Sequence, residues 1–265
     1  MGKLFIDTKH LIKICGAFVL VFLTFSAAVT DTIPDFKKYE AGTERKKEFF
    51  NYLLPLINNH NASILKARNK ISEWSQHPNS LGWFDHFQLE NFLETYQLGN
   101  FNINNENDWA TLLRRVDVIP ASLALAQAAN ESGWGTSRFA REGNNYFGQW
   151  CYKKDCGMVP KGRGTGDVHE VAIFNSPSDS VASYLRNLNS HKAYKTLREI
   201  RVIMREEEQS IRGAELVKGL GKYSQRGQDY IIELRSIIRH NNLQKYDYNH
   251  NIGEHDEITV VQDYD

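Results

Sequence analysis

The segment Ala-Asn-Glu-Ser-Gly-Trp-Gly, residues 129–135, places a carboxyl group where general acid chemistry is feasible. Glu131 is the first ionisable side chain after an almost wholly apolar run from Ala121 to Ala129. Burial and the negative C-terminal end of a helix both raise the pKa of a carboxyl group. Such a group stays protonated at higher pH than usual, as a general acid requires. The alternative is that Glu131 is an ordinary solvent-exposed residue at a helix end.

A buried helix is the element expected to position this carboxyl group. Asp117 and Pro120 precede the apolar run, and proline suits the first turn of a helix, where its missing N–H is not needed. Gly133 and Gly135 follow Glu131, and glycine commonly ends a helix by adopting the left-handed conformation. The pattern predicts a helix that ends near Glu131 and a loop that the carboxyl group faces.

A small β lobe is predicted after this helix. From Gly143 to His169 glycines are frequent and apolar runs are short, which is typical of loops and hairpins. The alternation within residues 168–174 predicts a strand, with residues 146–151 as its partner or as a neighbouring strand.

Helical patterns flank the lobe on both sides. One apolar stripe covers residues 49–57 and a second covers 64–74, and Pro55 is expected to kink or shorten the first helix. We interpret residues 40–76 as a helical hairpin that extends a main domain of residues 80–242. Further helices are expected at 83–98, 109–115, 177–188, 193–208, 214–220 and 228–239. The fold class is mainly α, an α+β arrangement with a small β-hairpin lobe.

The two ends of the chain differ from this pattern. Lysines at positions 3, 9 and 13 precede an apolar run from Ile14 to Phe25 and small residues up to Ala28, which predicts a signal peptide over residues 1–28. The alternative is an uncleaved membrane anchor over residues 14–29. Either reading predicts an exported protein, periplasmic or secreted. Residues 243–265 are polar and aperiodic, which predicts a disordered tail.

Export changes the meaning of two cysteines. Cys151 and Cys156 lie in a glycine-containing loop, and in an oxidising compartment such a pair favours a disulfide. A zinc site is less favoured because no second cysteine pair or spaced histidine pair accompanies them. Free thiols remain an alternative.

Composition excludes several function classes. The formal net charge is zero, so no overall field attracts nucleic acid or an anionic membrane surface. The nine histidines show no metal-ligand spacing, and no glycine-rich phosphate loop follows a strand. We therefore expect no metal, no cofactor and no nucleic-acid partner, with membrane contact only through an uncleaved N-terminal segment.

Several short segments, taken in order, resemble the bacterial glucosaminidases of glycoside hydrolase family 73, and within that family the subgroup of Bax proteins. They lie between about residues 117 and 240, and a lysine-rich helix near 45–57 adds to the likeness. The segments are 129–137, 143–150, 170–174, 180–184, 189–194 and 221–224.

The resemblance implies a lysozyme-like fold and cleavage of N-acetylglucosaminyl bonds in peptidoglycan. It places the general acid at Glu131. Glycoside hydrolysis usually needs a second carboxylate, which the family carries on the β lobe. Glu170 is the preferred candidate here and Asp167 the alternative; an ordinary strand residue is the alternative reading of Glu170.

The resemblance also places Tyr194 in the catalytic cleft, where its hydroxyl would position substrate or water. Aromatic rings that stack on sugars and amides that bind acetamido groups are further candidates, although core packing is an equal alternative for each ring. These candidates are Trp134, Asn145, Tyr146, Gln149 and Trp150.

Together these observations predict a peptidoglycan hydrolase, an endo-β-N-acetylglucosaminidase that needs no cofactor and acts on glycan strands. A lytic transglycosylase, which needs only one acid, is the alternative within the enzyme class. A glycan-binding module without catalysis is the alternative outside it.

Overall fold

The computed structural model describes residues 32–164, 166 and 168–247. The predicted signal peptide or anchor, and the alternative second carboxylate Asp167, lie outside these residues. The described residues between Pro34 and Asp247 belong to one compact unit. Within the described ranges, no helix combines the length and apolarity needed to cross a bilayer.

The fold is mainly helical with a small antiparallel sheet, which confirms the predicted lysozyme-like class. Short 3-10 helices occur at Phe36–Lys38, Pro78–Ser80, Lys192–Tyr194, Val217–Leu220 and Leu243–Tyr246. The α-helices are α1 Thr43–Gln76, α2 Trp83–Thr95, α3 Glu106–Arg115, α4 Ala121–Ser132, α5 Arg138–Gly143, α6 Pro177–Ser190, α7 Lys195–Glu206, α8 Gly213–Leu216 and α9 Gln228–His240.

Helix α4 is the centre of the main core. Every residue from Ala121 to Ala129 is buried, because α1, α8 and α9 pack around it. Gly133 ends the helix in the left-handed conformation, with φ 56° and ψ 49°, as predicted. The helix therefore delivers Glu131, in its last turn, from the core to the surface.

The predicted hairpin of residues 40–76 is wrong, because these residues form the single continuous helix α1. Pro55 has no N–H, so the carbonyl of Asn51 has no partner within the helix. Both residues lie on the exposed face, where water can solvate that carbonyl. The opposite face packs along its whole length. Its buried residues are Phe49, Phe50, Leu53, Ile57, Ile71 and Trp74.

Helix α1 joins two apolar clusters rather than forming a separate extension. Its first half packs into the main core around α4. Its second half, through Ile71 and Trp74, packs into a smaller cluster with α2 and α3. The residues that contribute to this cluster from α2, α3 and the segments after them are Leu89, Tyr96, Trp109, Leu112 and Val116.

The β lobe is a three-stranded antiparallel sheet, in the order β1-β3-β2. The strands are β1 Trp150–Cys151, β2 Gly157–Met158 and β3 Glu170–Ala172. Trp150 pairs with Val171, and Met158 pairs with the same residue from the other side. Strand β3 lies within the predicted strand, and β1 lies within its predicted neighbour.

The predicted tail is ordered over its first five residues. Leu243 is fully buried in the main core. Asp247 accepts hydrogen bonds from the backbone N–H groups of Ser122 and Gly213 and from the Ser122 hydroxyl. Because Pro120 offers no capping side chain, this distant carboxylate satisfies the start of α4. Residues 248–265 lie outside the described ranges.

Candidate active site

A cleft of about 1260 Å³ opens where α4 ends. The loop between α5 and β1 forms one part of its lining, and helix α6 with the following 3-10 turn forms another. The loop before α9 completes it. Lining residues include Glu131, Gly148, Gln149, Trp150, Tyr152, Arg186, Asn187, His191, Tyr194, Lys222, Tyr223 and Arg226.

Glu131 is half-buried at this cleft, with its carboxyl group anchored from the core side. The Tyr230 hydroxyl donates to Oε1 at 2.9 Å, and Asn130 Nδ2 donates to the same atom at 3.4 Å. Burial raises the pKa of Glu131, and the two hydrogen bonds lower it by less. The raised pKa expected from the sequence is therefore present in the structure.

The second carboxyl oxygen of Glu131 lies beside the loop between α5 and β1. Gly148 has φ +62°, and a Cβ atom placed on it would lie 3.3 Å from Oε2. A glycine is needed here both for the left-handed backbone and for the close approach. Oε1 thus accepts hydrogen bonds from the protein, whereas Oε2 sits against the cleft lining.

Tyr194 and Tyr223 line the cleft that Glu131 also lines, and the buried Tyr230 lies behind Tyr223. Tyr223 and Tyr230 stack with ring centroids 5.6 Å apart, and Tyr194 lies 5.9 Å from Tyr223. Tyr223 donates to the carbonyl of Phe147 at 2.9 Å, which ties Tyr223 to the loop between α5 and β1. Burial raises the pKa of Tyr194, so its hydroxyl is neutral and can donate a hydrogen bond. Tyr194 therefore lies in the cleft, where the resemblance placed it.

Two of the predicted substrate contacts also line the cleft. Trp150 is 53% exposed and stacks on His169 with centroids 4.1 Å apart. Its exposed indole offers a flat face to a sugar ring. Gln149 has both amide ends occupied, since Nε2 donates to Ser180 O and Oε1 accepts from Ser183 Oγ.

Three predicted substrate contacts are not among the cleft-lining residues. Asn145 is 1% exposed and holds the turn through its amide, donating to the carbonyls of Gln149 and Ala172. Tyr146 is equally buried in the main core. Trp134 packs edge-on against two phenylalanines of α1. For the two rings the packing alternative describes the structure, and Asn145 serves the turn.

Glu170, the preferred second carboxylate, is likewise absent from the cleft lining. It is 5% exposed and accepts hydrogen bonds from the backbone N–H groups of Asp155 and Gly157. Cys151 and Cys156 form the predicted disulfide across the same turn. The Glu170 side chain therefore holds the disulfide loop in place through these two hydrogen bonds. Strand β3 positions it for this, because Glu170 pairs directly with Cys151.

Cys151, Cys156 and Glu170 bring possible metal-donor atoms within 4.8 Å of one another. The disulfide removes both thiolates, and the carboxylate is already hydrogen-bonded to the backbone. These residues do not fit a metal ion in this form.

Four residues that matter for the geometry escaped the sequence analysis. Tyr230 and Tyr223 belong to the C-terminal part of the chain, and no local pattern connects them with Glu131. Arg186 is exposed in the cleft on α6. Gln127 did carry a signal: it is a polar side chain in an otherwise apolar helix.

The charges in the cleft are mostly positive. Arg186, Lys222 and Arg226 line it, and Arg226 is paired with Glu233 at 2.6 Å. Among the lining residues that the structure describes, Glu131 is the sole carboxylic acid.

An open cleft with aromatic side chains and one carboxylic acid of raised pKa, set between a helical core and a β lobe, has the features needed to bind a sugar chain and to protonate a glycosidic oxygen. The comparisons with known proteins agree. The family described as "Glucosaminidase: Mannosyl-glycoprotein endo-beta-N-acetylglucosaminidase" matches residues 106–243. The chain is also 35% identical over 205 residues to "Protein bax" of Escherichia coli (strain K12), which covers 77% of this chain and 73% of that protein. No solved structure matches the present chain.

The chain belongs to the glucosaminidase family. It is a glycan-cleaving hydrolase of the cell-wall kind. Cell-wall glycan lies outside the cytoplasm.

Proposed function

We propose that the protein is a peptidoglycan hydrolase, an endo-β-N-acetylglucosaminidase whose general acid is Glu131. The observation that carries this proposal is the position of Glu131. It is the sole carboxylic acid among the described cleft residues, it is half-buried, and its pKa is raised. Those are the properties of a group that holds a proton for a leaving oxygen.

In the proposed reaction, the glycan strand lies in the cleft with a sugar ring against Trp150. Glu131 transfers its proton from Oε2 to the glycosidic oxygen as the bond to the anomeric carbon breaks. The carboxylate that results is stabilised by the hydrogen bond from Tyr230 to Oε1. Tyr194, which also lines the cleft, positions the substrate or the attacking water through its hydroxyl. Water attacks the anomeric carbon and gives a proton to the second carboxylate, which leaves a reducing N-acetylglucosamine end.

The second carboxylate of the reaction is assigned to Asp167 rather than Glu170. Glu170 is occupied with two backbone N–H groups and a disulfide loop, which argues for a structural role. Asp167 lies three residues before Glu170 in the sequence, in the glycine-rich segment that precedes β3.

A lytic transglycosylase is the second candidate. It is favoured by one observation, that the described cleft residues include a single carboxylic acid. Such an enzyme forms an intramolecular anhydro ring instead of using water, so a second carboxylate is not required.

Export to the periplasm or cell surface belongs to the same proposal. The N-terminal pattern of residues 1–28 and the disulfide between Cys151 and Cys156 support it, since structural disulfides persist in oxidising compartments.

The products distinguish the candidates. Purified protein is incubated with peptidoglycan, and the released fragments are identified by mass spectrometry. A reducing N-acetylglucosamine end supports the proposed hydrolase, whereas an anhydromuramic end supports the transglycosylase. Binding of peptidoglycan without release of fragments contradicts both.

A further inference from the structure

A chain of hydrogen bonds runs through the core to the acid. The Tyr184 hydroxyl donates to Gln127 Oε1 at 2.6 Å, and Gln127 Nε2 donates to the Tyr230 hydroxyl at 2.8 Å. Tyr230 then donates to Glu131 Oε1 at 2.9 Å. Gln127 and Tyr184 are fully buried, and neither lines the cleft.

The hydrogen bonds all point from Tyr184 toward Glu131, and the donors and acceptors of the side chains explain this direction. A side-chain amide has one accepting end and one donating end, and each hydroxyl has one hydrogen. Gln127 accepts from Tyr184 and donates to Tyr230, so the hydrogen of Tyr230 is free for Glu131. If the amide were reversed, Tyr230 would donate to Gln127. Glu131 would then keep only the longer bond from Asn130, and the Tyr184 hydrogen would lose its acceptor.

Burial of the polar Gln127 side chain costs folding free energy at this position. Gln127 lies in the middle of α4, where its neighbours are apolar and completely buried. A buried amide is tolerated only when its hydrogen bonds are made, and an apolar side chain would fill the same space without that requirement. The amide is therefore best explained by what it does for the end of the helix.

We propose that Gln127 and Tyr184 are positioning residues for the reaction proposed above, acting through Tyr230 to hold Glu131 Oε1 as an acceptor and to leave Oε2 as the atom that carries the transferred proton. This inference rests on the proposed role of Glu131. Hydrogen bonds in a chain of this kind strengthen one another in a low-dielectric interior. Each link upstream makes Tyr230 a better donor to the carboxylate that forms in the reaction.

Other charged and titratable groups also act on Glu131, and the test leaves them unchanged. Glu233 raises its pKa and Arg226 lowers it, both from the α9 side of the cleft. Tyr194 and Tyr223 line the same cleft as Glu131. The Coulomb interaction with Glu131 contributes to the raised pKa of each tyrosine.

The test uses Gln127→Met and Tyr184→Phe in the full chain. Gln127→Met removes the donor to Tyr230. Tyr184→Phe removes the donor that orients the Gln127 amide, so Gln127 Oε1 can turn and compete for the Tyr230 hydrogen. In both variants Tyr230 is a poorer donor to the Glu131 carboxylate, so the pKa of Glu131 rises and the acid becomes weaker. We expect the basic limb of the pH profile of kcat/KM on peptidoglycan to move to higher pH. We expect kcat to fall by about twofold to fivefold, because the bond from Tyr230 to Glu131 is weakened rather than lost, with KM unchanged.

Tyr96→Phe is the matched control, because it removes a buried tyrosine hydroxyl from the smaller cluster, outside this chain. It should leave the pH profile at its wild-type position. Tyr184→Phe also guards against misfolding, since the phenyl ring can keep its stacking on Phe147 at 3.9 Å. Variants that melt earlier but keep the wild-type basic limb would overturn the inference and leave a purely structural role.

A second measurement is independent of turnover. The carboxyl carbon of Glu131 is titrated by ¹³C NMR in wild type and Tyr184→Phe, with Glu131→Gln used for assignment. A higher pKa in the variant supports the inference, and an unchanged pKa contradicts it. Retained activity of Glu131→Gln would instead refute the proposed function, whatever the titration shows.

Discussion

The two carboxyl oxygens of Glu131 lie in different surroundings, and the chemistry of the site follows from that difference. Oε1 accepts from Tyr230 and Asn130, on the core side. Oε2 lies beside the loop at Gly148, where a Cβ atom would come within 3.3 Å of it. Burial of the whole group keeps it protonated to higher pH than an exposed glutamic acid.

Trp150 gives the first prediction for a single residue. Trp150→Ala removes the exposed ring that lines the cleft. Stacking of an aromatic ring on a sugar contributes on the order of 1 kcal/mol beyond area burial. We expect KM for peptidoglycan to rise by roughly fivefold to tenfold while kcat changes little, as steady-state kinetics would show.

Trp83→Ala is the control for this substitution. Trp83 is even more exposed, at 80%, but does not line the cleft. An equal rise in KM for both variants would contradict a specific role for Trp150.

Helix α4 carries Glu131 and the sheet carries Trp150, and the two differ in how far the sequence predicts their role. Helix α4 was predictable because an apolar run, a proline at its start and a glycine at its end are all local signals. The role of the β lobe was less predictable. Strand β3 was recognised, but a three-residue strand does not reveal which of its side chains enters a cleft and which turns toward a neighbouring loop.

Glu170 tests this view of the lobe. Glu170→Gln weakens two charge-assisted hydrogen bonds to the disulfide loop, so we expect unfolding to become easier by about 1–2 kcal/mol. The rate of glycan cleavage at saturating substrate should stay within a few-fold of wild type. Denaturant unfolding and muropeptide release measure the two quantities.

Asp167→Asn is the companion variant. If Asp167 is the second carboxylate, this change should lower the rate by at least about a hundredfold with little effect on stability. The opposite pattern, a catalytic loss in Glu170→Gln and none in Asp167→Asn, would restore Glu170 to the mechanism.

In the whole molecule, a buried ionic cluster ties α1 and α7 to the segment before α4. Asp117 is 2% exposed and receives two bonds of 2.6 Å from Arg205. Arg201 and Arg68 each lie 3.6 Å from it. Burial acts to raise the pKa of Asp117, but the three guanidinium groups outweigh burial and hold it below its usual range.

The sign of the pH dependence follows from that lowered pKa. Asp117 contributes stability at pH values above the ordinary aspartate pKa of about 3.9, and the contribution is lost as pH falls through the lower folded-state value. Asp117→Asn leaves buried arginines without their counter-ion, so we expect a loss of about 3–5 kcal/mol at pH 7. Urea unfolding of both proteins at pH 7 and at pH 3 measures the difference, which should shrink at pH 3. A difference equal at both pH values would contradict this account.

Long-range contacts explain what sequence reasoning could not reach. Tyr230 is 99 residues from Glu131 along the chain, and no periodicity links them. Likewise, Leu243 and Asp247 were assigned to a tail because their neighbours are polar, although the fold uses one as core and the other as a helix cap. The error over α1 has the same origin: Pro55 is a local signal, and packing along both halves of the helix outweighs it.

The role of Glu131 as the general acid is tested most directly by removing its acid proton. Release of muropeptides from peptidoglycan is measured for Glu131→Gln beside Glu142→Gln, which makes the same change at an exposed glutamate outside the cleft lining. A glutamine cannot donate the acid proton, so we predict that Glu131→Gln loses at least about a hundredfold in rate while retaining its fold. Glu142→Gln should match wild type. Release by Glu131→Gln at the wild-type rate would contradict the assignment of Glu131 as the general acid.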